Sequence, residues 1–405
     1  MKAPQISLGP KDPGSLARSA TVRINGSRLQ TPDIALDVAY SSPVGPEVLS
    51  QAEFKGRTTL FEVHRVLTID KINECLGEDD RAESARRKLD GEIGSALRRA
   101  ADVGGVPVLL LALTDNNRNP LNDVPDRQVL TFVMDLLWRP ENRVIVPPLM
   151  GVLPKAPQYD SVIRELSHRE QTIQERWVMA AIPSTYRPLT EEIIAKYWKA
   201  GARAFALDMQ GRGFSGNSSA VTLVQRVLGQ HRRDSGEDFF LHAINAKEKV
   251  GMLSTARTNC LLGSAFGFDS VGLNHIPPKG FAGAGTPAEE IAKIGLFQAS
   301  DYGYHSVKEL RGMKGSGEKP ELDTFPFGSE SLEKVVRRAD VGHARLVAKK
   351  HNLTKSLRET AQIRWSLSKG RFSELFESKA RVVDDYELAR EVVHDVRRRT
   401  ITLDS

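Results

Sequence analysis

The sequence predicts an α/β fold: a (β/α)8 barrel of the TIM type with an N-terminal β-hairpin and a C-terminal helical extension. Three observations predict it. Apolar runs of strand length recur about eight times along the chain. Helix-period stretches separate most of them, the alternation expected of a parallel sheet. No G-x-G-x-x-G follows any of the runs, which weakens an open dinucleotide-binding sheet. The length of 405 residues suits one barrel with insertions.

Residues 1–16, rich in Pro and Gly, read as a flexible lead-in. The alternating ATVRI that follows, with a turn at Asn25–Gly26, reads as a hairpin. Strand-length runs then fall at Ile34–Val38, Thr59–Val63, Val106–Leu113, Arg143–Pro147, Trp177–Ile182, Arg203–Leu207, Asp238–Ala243 and Ala265–Leu273. Leu189–Ala200 and Ser219–Gly229 carry helical periodicity, with Thr190 a helix start and Gly201 a stop. Gly312–Glu330 is Gly/Pro-rich and reads as an irregular insertion. A basic helical subdomain of about 331–380 closes a unit spanning 17–380, and residues 381–405 form a basic tail.

Apolar content of 40% and charged content of 27% describe a globular protein with material for a large core. The formal charge of +6 suits a polyanionic partner better than a neutral metabolite. Two cysteines, Cys75 and Cys260, are too few for a disulfide scaffold or a Cys-rich zinc site. No apolar run is long enough to span a membrane, and the N-terminus lacks an apolar signal core, so a cytoplasmic enzyme is expected.

The chemistry is expected at Asp269, in FGFDSVGLNHIPP. A carboxylate that ends an apolar run is costly to desolvate unless it is paired or used. At the C-terminal end of a barrel strand, that position collects catalytic residues. A structural carboxylate paired with an Arg is the competing reading.

Three segments carry a family resemblance. HNLTKSLRETAQIRWSLSKGRFSELF, with His351, Asn352, Leu353, Gly370, Arg371 and Phe372, resembles the end of the tRNA-guanine transglycosylases, where a His-Asn-Leu turn leads into a helix. ARSATVRINGSRLQTPDIALDV resembles their opening hairpin. Phe268-Asp269-Ser270 resembles their nucleophile strand. The resemblance implies an enzyme that exchanges a guanine of nucleic acid for a 7-deazaguanine, such as 7-cyano-7-deazaguanine, with no cofactor. Asp269 would be the nucleophile that forms a covalent glycosyl intermediate. Asp115, in LLLALTDNNRNPLN, would be the general base, although Asp-Asn-Asn is equally an ordinary turn signature. Asp208, Gln210 and Gly211 stand where the family reads its base, and Asn245, Asn274 and His275 follow strand ends, a placement that would line the same pocket, although a lone His is more often structural.

The departures matter as much. Most relatives bind zinc through Cys-x-Cys-x-x-Cys and the His of the His-Asn turn. This chain has FPFGSESL there, so no metal is expected by that motif. A Gln-Gly-Gly segment has become Ile182-Pro183-Ser184. These losses mark the divergent DNA-acting branch, so DNA is expected as the partner ahead of tRNA. A helper ATPase and a homodimer are compatible additions. Arg337–Arg338, Lys349–Lys350 and Arg397–Arg399 become candidate phosphate contacts, against the bland reading as solvated helix faces. A third reading, from another class, is a non-catalytic nucleic-acid-binding relative.

Overall fold

The computed structural model describes residues 1, 3–24, 26–38, 44–121, 123–151, 157–172, 176–183, 187–252, 255–274, 286–313 and 332–401. Its first strand, β1 (Gln5–Lys11), pairs antiparallel with β2 (Arg18–Ile24), and β2 with β3 (Ser27–Thr31). The expected hairpin is therefore present, but the segment read as a flexible lead-in is its third strand. The chain start is also fixed, because the Met1 ammonium donates to the Ala200 carbonyl at 2.8 Å and pairs with Glu170 at 3.0 Å.

A nine-stranded sheet follows, in the order β4-β14-β11-β10-β9-β8-β7-β6-β5. Its members are β4 (Asp33–Ile34), β5 (Leu36–Asp37), β6 (Leu60–Thr68), β7 (Val106–Thr114), β8 (Val144–Ile145), β9 (Trp177–Ile182), β10 (Ala204–Asp208), β11 (Phe240–Ala246) and, later in the chain, β14 (Ser270–Leu273). Every pairing in it is parallel. The two edge strands, β4 and β5, are consecutive segments separated only by Ala35, so the sheet curls into a nearly closed barrel.

Alternation along each strand sorts the side chains. Val106, Val108 and Leu110 share one cluster with Trp177, Met179, Ala204, Ala206, Phe240 and Ile244, the inner face. Leu109, Leu111 and Leu113 point the other way, into the helices that surround the sheet. Burial on both faces explains why these strands read as continuous apolar runs. Ala20, Val22, Ile24 and Leu29 of the hairpin sheet belong to the inner cluster, alongside strand-initial residues such as Leu60, Trp177 and Phe240. The hairpin sheet thus plugs the N-terminal end of the barrel. Each of its large aliphatic side chains contributes roughly 1.5–3 kcal/mol by burial.

Loop acids start the helices, as capping demands. Asp79, Asp126 and Asp340 accept from the third residue onward at 2.8, 2.9 and 3.0 Å. The helix expected over 189–200 runs Arg187–Lys199, followed by Gly201 at φ 92°.

A second sheet, order β12-β13-β16-β15, comprises β12 (Lys249–Val250), β13 (Arg257–Thr258), β15 (Gly295–Gln298) and β16 (Gly303–Ser306). Against it lies the helix Val341–Ser368. His351 and Asn352 sit inside this continuous helix, where a turn was expected. The Asn352 side chain accepts from Phe297 N–H at 2.8 Å and donates to the Gly295 carbonyl at 3.2 Å, fixing the helix to β15. Most of the expected basic tail is a helix, Val383–Ile401, docked on Ser218–Ser235. Residues 314–331, which contain most of the expected insertion and of the FPFGSESL segment, lie outside the described residues.

Beneath the mouth of the barrel, the inner face carries one polar pair. Glu62 Oε1 and His242 Nε2 are 2.7 Å apart and both side chains are fully buried. A Cβ on Gly272, in the neighbouring strand, would collide with the Glu62 carboxylate. Gly272→Ala is therefore expected to lower stability by about 1–3 kcal/mol or more, read as a drop in denaturation midpoint. An unchanged midpoint would mean that Glu62 has room to move aside.

Candidate functional site

The strand ends decide which predicted residues meet. Asp208 is the last residue of β10, and Asn245 lies near the end of β11. Both stand at the C-terminal mouth of the parallel sheet, the end where loops, free of ladder constraints, present functional groups.

The chain turns sharply after β10. Gln210 and Gly211 adopt left-handed conformations in succession, at φ 53° and 71°. That turn aims the Gln210 N–H back at Asp208 Oδ1, at 3.0 Å. It also lets Gly211 N–H reach the Asn245 carbonyl at 2.8 Å. A side chain at 211 would press on the Asn274 amide, with its Cβ 3.2 Å from Nδ2. Asn245 is itself left-handed, at φ 54°, a conformation Asn tolerates better than most residues. Its Nδ2 donates to Asp208 Oδ1 at 3.0 Å, while its buried Oδ1 has no hydrogen-bond partner among the described residues.

Asp208, Gln210, Gly211 and Asn245 are thus brought together, as the sequence predicted. Asn274, which follows β14 and was expected among the strand-end residues, joins them. His275 lies outside the described residues. A small cleft of about 20 Å³ beside Asp208 is lined by Pro147–Gly151, Ala181–Pro183 and Tyr197. Burial raises the Asp208 pKa above the ordinary aspartate value, and the hydrogen bonds from Asn245 and Gln210 offset this only in part. Oδ1 is held by two donors, whereas no described residue bonds Oδ2.

The sign of the pH effect follows from that shift. A raised carboxyl pKa means the folded state binds more protons than the unfolded chain, between the ordinary value and the raised one. Stability therefore falls as pH rises through this window and levels off above it. Asp208→Asn should flatten that portion of a stability-against-pH curve. A curve identical to that of the parent would show that Asp208 is not perturbed.

The two residues expected to do the chemistry are not brought together. Asp269 does not end a strand. The segment expected as one strand over Ala265–Leu273 is a 3-10 turn, Leu262–Ser264, then Gly267 at φ 82°, with β14 starting only at Ser270. Asp269 therefore sits at the N-terminal end of the barrel. It lies level with Leu241, whereas Asp208 lies level with Ile244. Three residues of strand separate the two levels, about 10 Å. Both oxygens of Asp269 are engaged. Arg18 Nε reaches Oδ1 at 3.0 Å, Arg18 Nη2 reaches Oδ2 at 2.6 Å, and Leu241 N–H reaches Oδ2 at 2.8 Å. The carboxylate is 1% exposed and Arg18 8%. This is the paired structural carboxylate of the competing reading, and the position gives no support to a nucleophile.

Asp115 is at the mouth, directly after β7, but it builds its own turn. Its Oδ1 accepts from Asn119 N–H at 2.7 Å and its Oδ2 from Asn119 Nδ2 at 2.9 Å. These bonds hold its pKa below the usual range, which makes it a weak base while they persist.

The proposed phosphate contacts divide. Lys349 and Lys350 pair with Asp37 and Glu47, and Arg338 lies 2.8 Å from His343 Nε2. These are solvated helix faces with local partners. Trp138 and Trp177 are core residues, while Trp365 is 48% exposed. His351 is buried, its Nε2 3.2 Å from the Phe297 carbonyl. Among the described residues no group of three or more His, Cys, Asp or Glu is arranged to hold a metal, and no helix is long and apolar enough to cross a membrane.

No protein-family model matches this chain, and no curated protein sequence matches it significantly. The class that fold and site define is a parallel α/β barrel with a polar, acid-containing mouth, and the comparisons add no family to it.

Proposed function

We propose that this chain is a (β/α)8 barrel, with β4 and β5 as two halves of one strand, that exchanges a guanine base in DNA for a 7-deazaguanine at the C-terminal mouth. Asp208 takes the role expected of Asp269. The observation that carries this reading is the state of the Asp208 carboxylate: one oxygen anchored by Asn245 and Gln210, the other without a partner among the described residues, beside a cleft. That arrangement leaves an oriented oxygen for attack on C1′. As the C1′–O bond forms, the C1′–N9 bond breaks and guanine leaves with the electron pair, taking up a proton from water. The incoming base, deprotonated at N9, then attacks C1′ and displaces Asp208. Asp115 is the proton acceptor at this mouth, released from Asn119 when substrate binds. Gln210, Gly211 and the free Asn245 Oδ1 read the base edge. Extruding guanine from a duplex costs a few kcal/mol, which backbone contacts must offset. DNA is preferred to tRNA on the sequence departures described above, while the net charge of +6 suits either polyanion.

A second reading, a non-catalytic nucleic-acid-binding relative, is favoured by one observation. Both Asp269 and Asp115 have all their carboxylate oxygens engaged within the fold. Release of radiolabelled guanine from DNA, with tRNA in parallel, separates the two. The exchange reading expects release from DNA by the parent protein and none from Asp208→Asn, with DNA binding retained in both. Binding without release from either nucleic acid favours the second reading. Release from tRNA alone sinks the DNA preference.

A further inference from the structure

Three distant segments send cations to one cleft at the plugged, N-terminal end of the barrel, away from the mouth. β1 contributes Lys11, the end of the helix Ser218–Ser235 contributes Arg232 and Arg233, and the C-terminal helix contributes Arg397. Arg18, Gly229, Gly236 and Gly267 also line this cleft of roughly 640 Å³. Asp12 is the one acidic residue in its lining, and Ser373 already donates to it at 3.2 Å.

The local pairing leaves positive charge over. Arg18 is committed to Asp269, and Arg232 to Asp238 at 2.6 Å. Arg233 and Arg397 meet only neutral oxygens among the described residues, at Gln230 and Pro13. No described acid bonds Lys11. Its ammonium is held below the usual lysine range by partial burial and by the nearby Arg232 and Arg18. The cations outnumber the nearby acids Asp12 and Asp238, and such an excess gathered in a concave surface is costly unless an anion sits among them. The arginines at 232 and 233 have another use, since cations offset the negative end of a helix. Lys11 has no part in that, because it comes from a strand, and Arg397 belongs to a different helix, so compensation of one helix end does not account for the convergence.

The geometry points to a second ligand site, a phosphate-binding cleft formed by Lys11, Arg232, Arg233 and Arg397 and separate from the mouth. Phosphate oxyanions are the shared chemistry, supplied either by a nucleic-acid backbone outside the target nucleotide or by a free polyphosphate. This site is independent of base exchange, because none of its residues belongs to the mouth.

Lys11→Ala/Arg233→Ala changes two exposed side chains and should leave the thermal midpoint unchanged. Anisotropy of a fluorescent DNA 20-mer should show affinity weakened about tenfold, and a log K against log[salt] slope shallower by about 2, if backbone phosphates occupy the cleft. If free polyphosphate is the ligand, DNA affinity stays the same, while calorimetric binding of inorganic tripolyphosphate to the parent is lost in the double variant. Either result supports the site and identifies its source. Asp208→Asn, measured alongside, should retain both, which separates failure of the cleft from failure of the mouth. Equal DNA affinity and slope in the double variant, together with no difference in tripolyphosphate binding, overturns the proposal. A fallen midpoint with unchanged binding of both probes also overturns it, by assigning the cations to helix stability alone.

Discussion

Asp269→Ala is expected to lower the stability of this protein by about 3–5 kcal/mol, because it leaves the Arg18 guanidinium buried and without its counter-charge. The loss should be global. Arg18 also donates to the Phe239 carbonyl at 2.6 Å, and Asp269 holds Leu241 N–H, so the pair ties β2 to the starts of β11 and β14. Arg18→Ala should cost about as much, and the two losses should not add. Replacing both residues by apolar side chains of similar volume should restore much of the stability. Chemical denaturation of the four proteins measures this. A single variant that unfolds like the parent would remove the structural role assigned to the pair.

Asp208→Asn carries the largest expected effect on function. Asparagine keeps the size and the hydrogen bonds to Oδ1 but supplies no nucleophilic oxygen, so guanine exchange should fall by at least about a thousandfold. The fold should not suffer. The raised pKa means that the ionised carboxylate is disfavoured in the folded state, so at neutral pH the variant should be as stable as the parent or more so. The opposite responses of positions 208 and 269 distinguish a working carboxylate from a structural one. Loss of exchange without loss of fold belongs to the first, and loss of fold to the second.

Much of the barrel was legible in the sequence because parallel strands buried on both faces leave continuous apolar runs. Trp177–Ile182 was placed residue for residue, and Val106–Leu113 to within one. The error at Asp269 has a physical cause. Ala265, Phe266 and Phe268 are as apolar as strand residues, and all are buried, but they pack from a tight turn whose reversal depends on Gly267. An apolar run records burial, not direction or conformation, so it could not show that the carboxylate precedes the strand. The lead-in failed for a related reason. Gly9, Pro10 and Pro13 looked like linker residues, yet β1 is an edge strand of a small sheet, where Pro and Gly are tolerated. The mouth was more readable: Asp208, Gln210 and Gly211 fall within four residues, and a strand end followed by Gly marks a turn whatever the family. The Glu62–His242 pair passed unnoticed, although a glutamate inside an apolar strand was a visible anomaly.

The central claim is that the reacting carboxylate is at the mouth and is Asp208. Trapping the protein with a guanine-containing DNA, under conditions that quench the intermediate, and mapping the modified peptide by mass spectrometry tests it most directly. The account predicts a pentose-linked adduct on the peptide that carries Asp208, absent from Asp208→Asn and present in any Asp269 variant that folds. An adduct on Asp269 would contradict it.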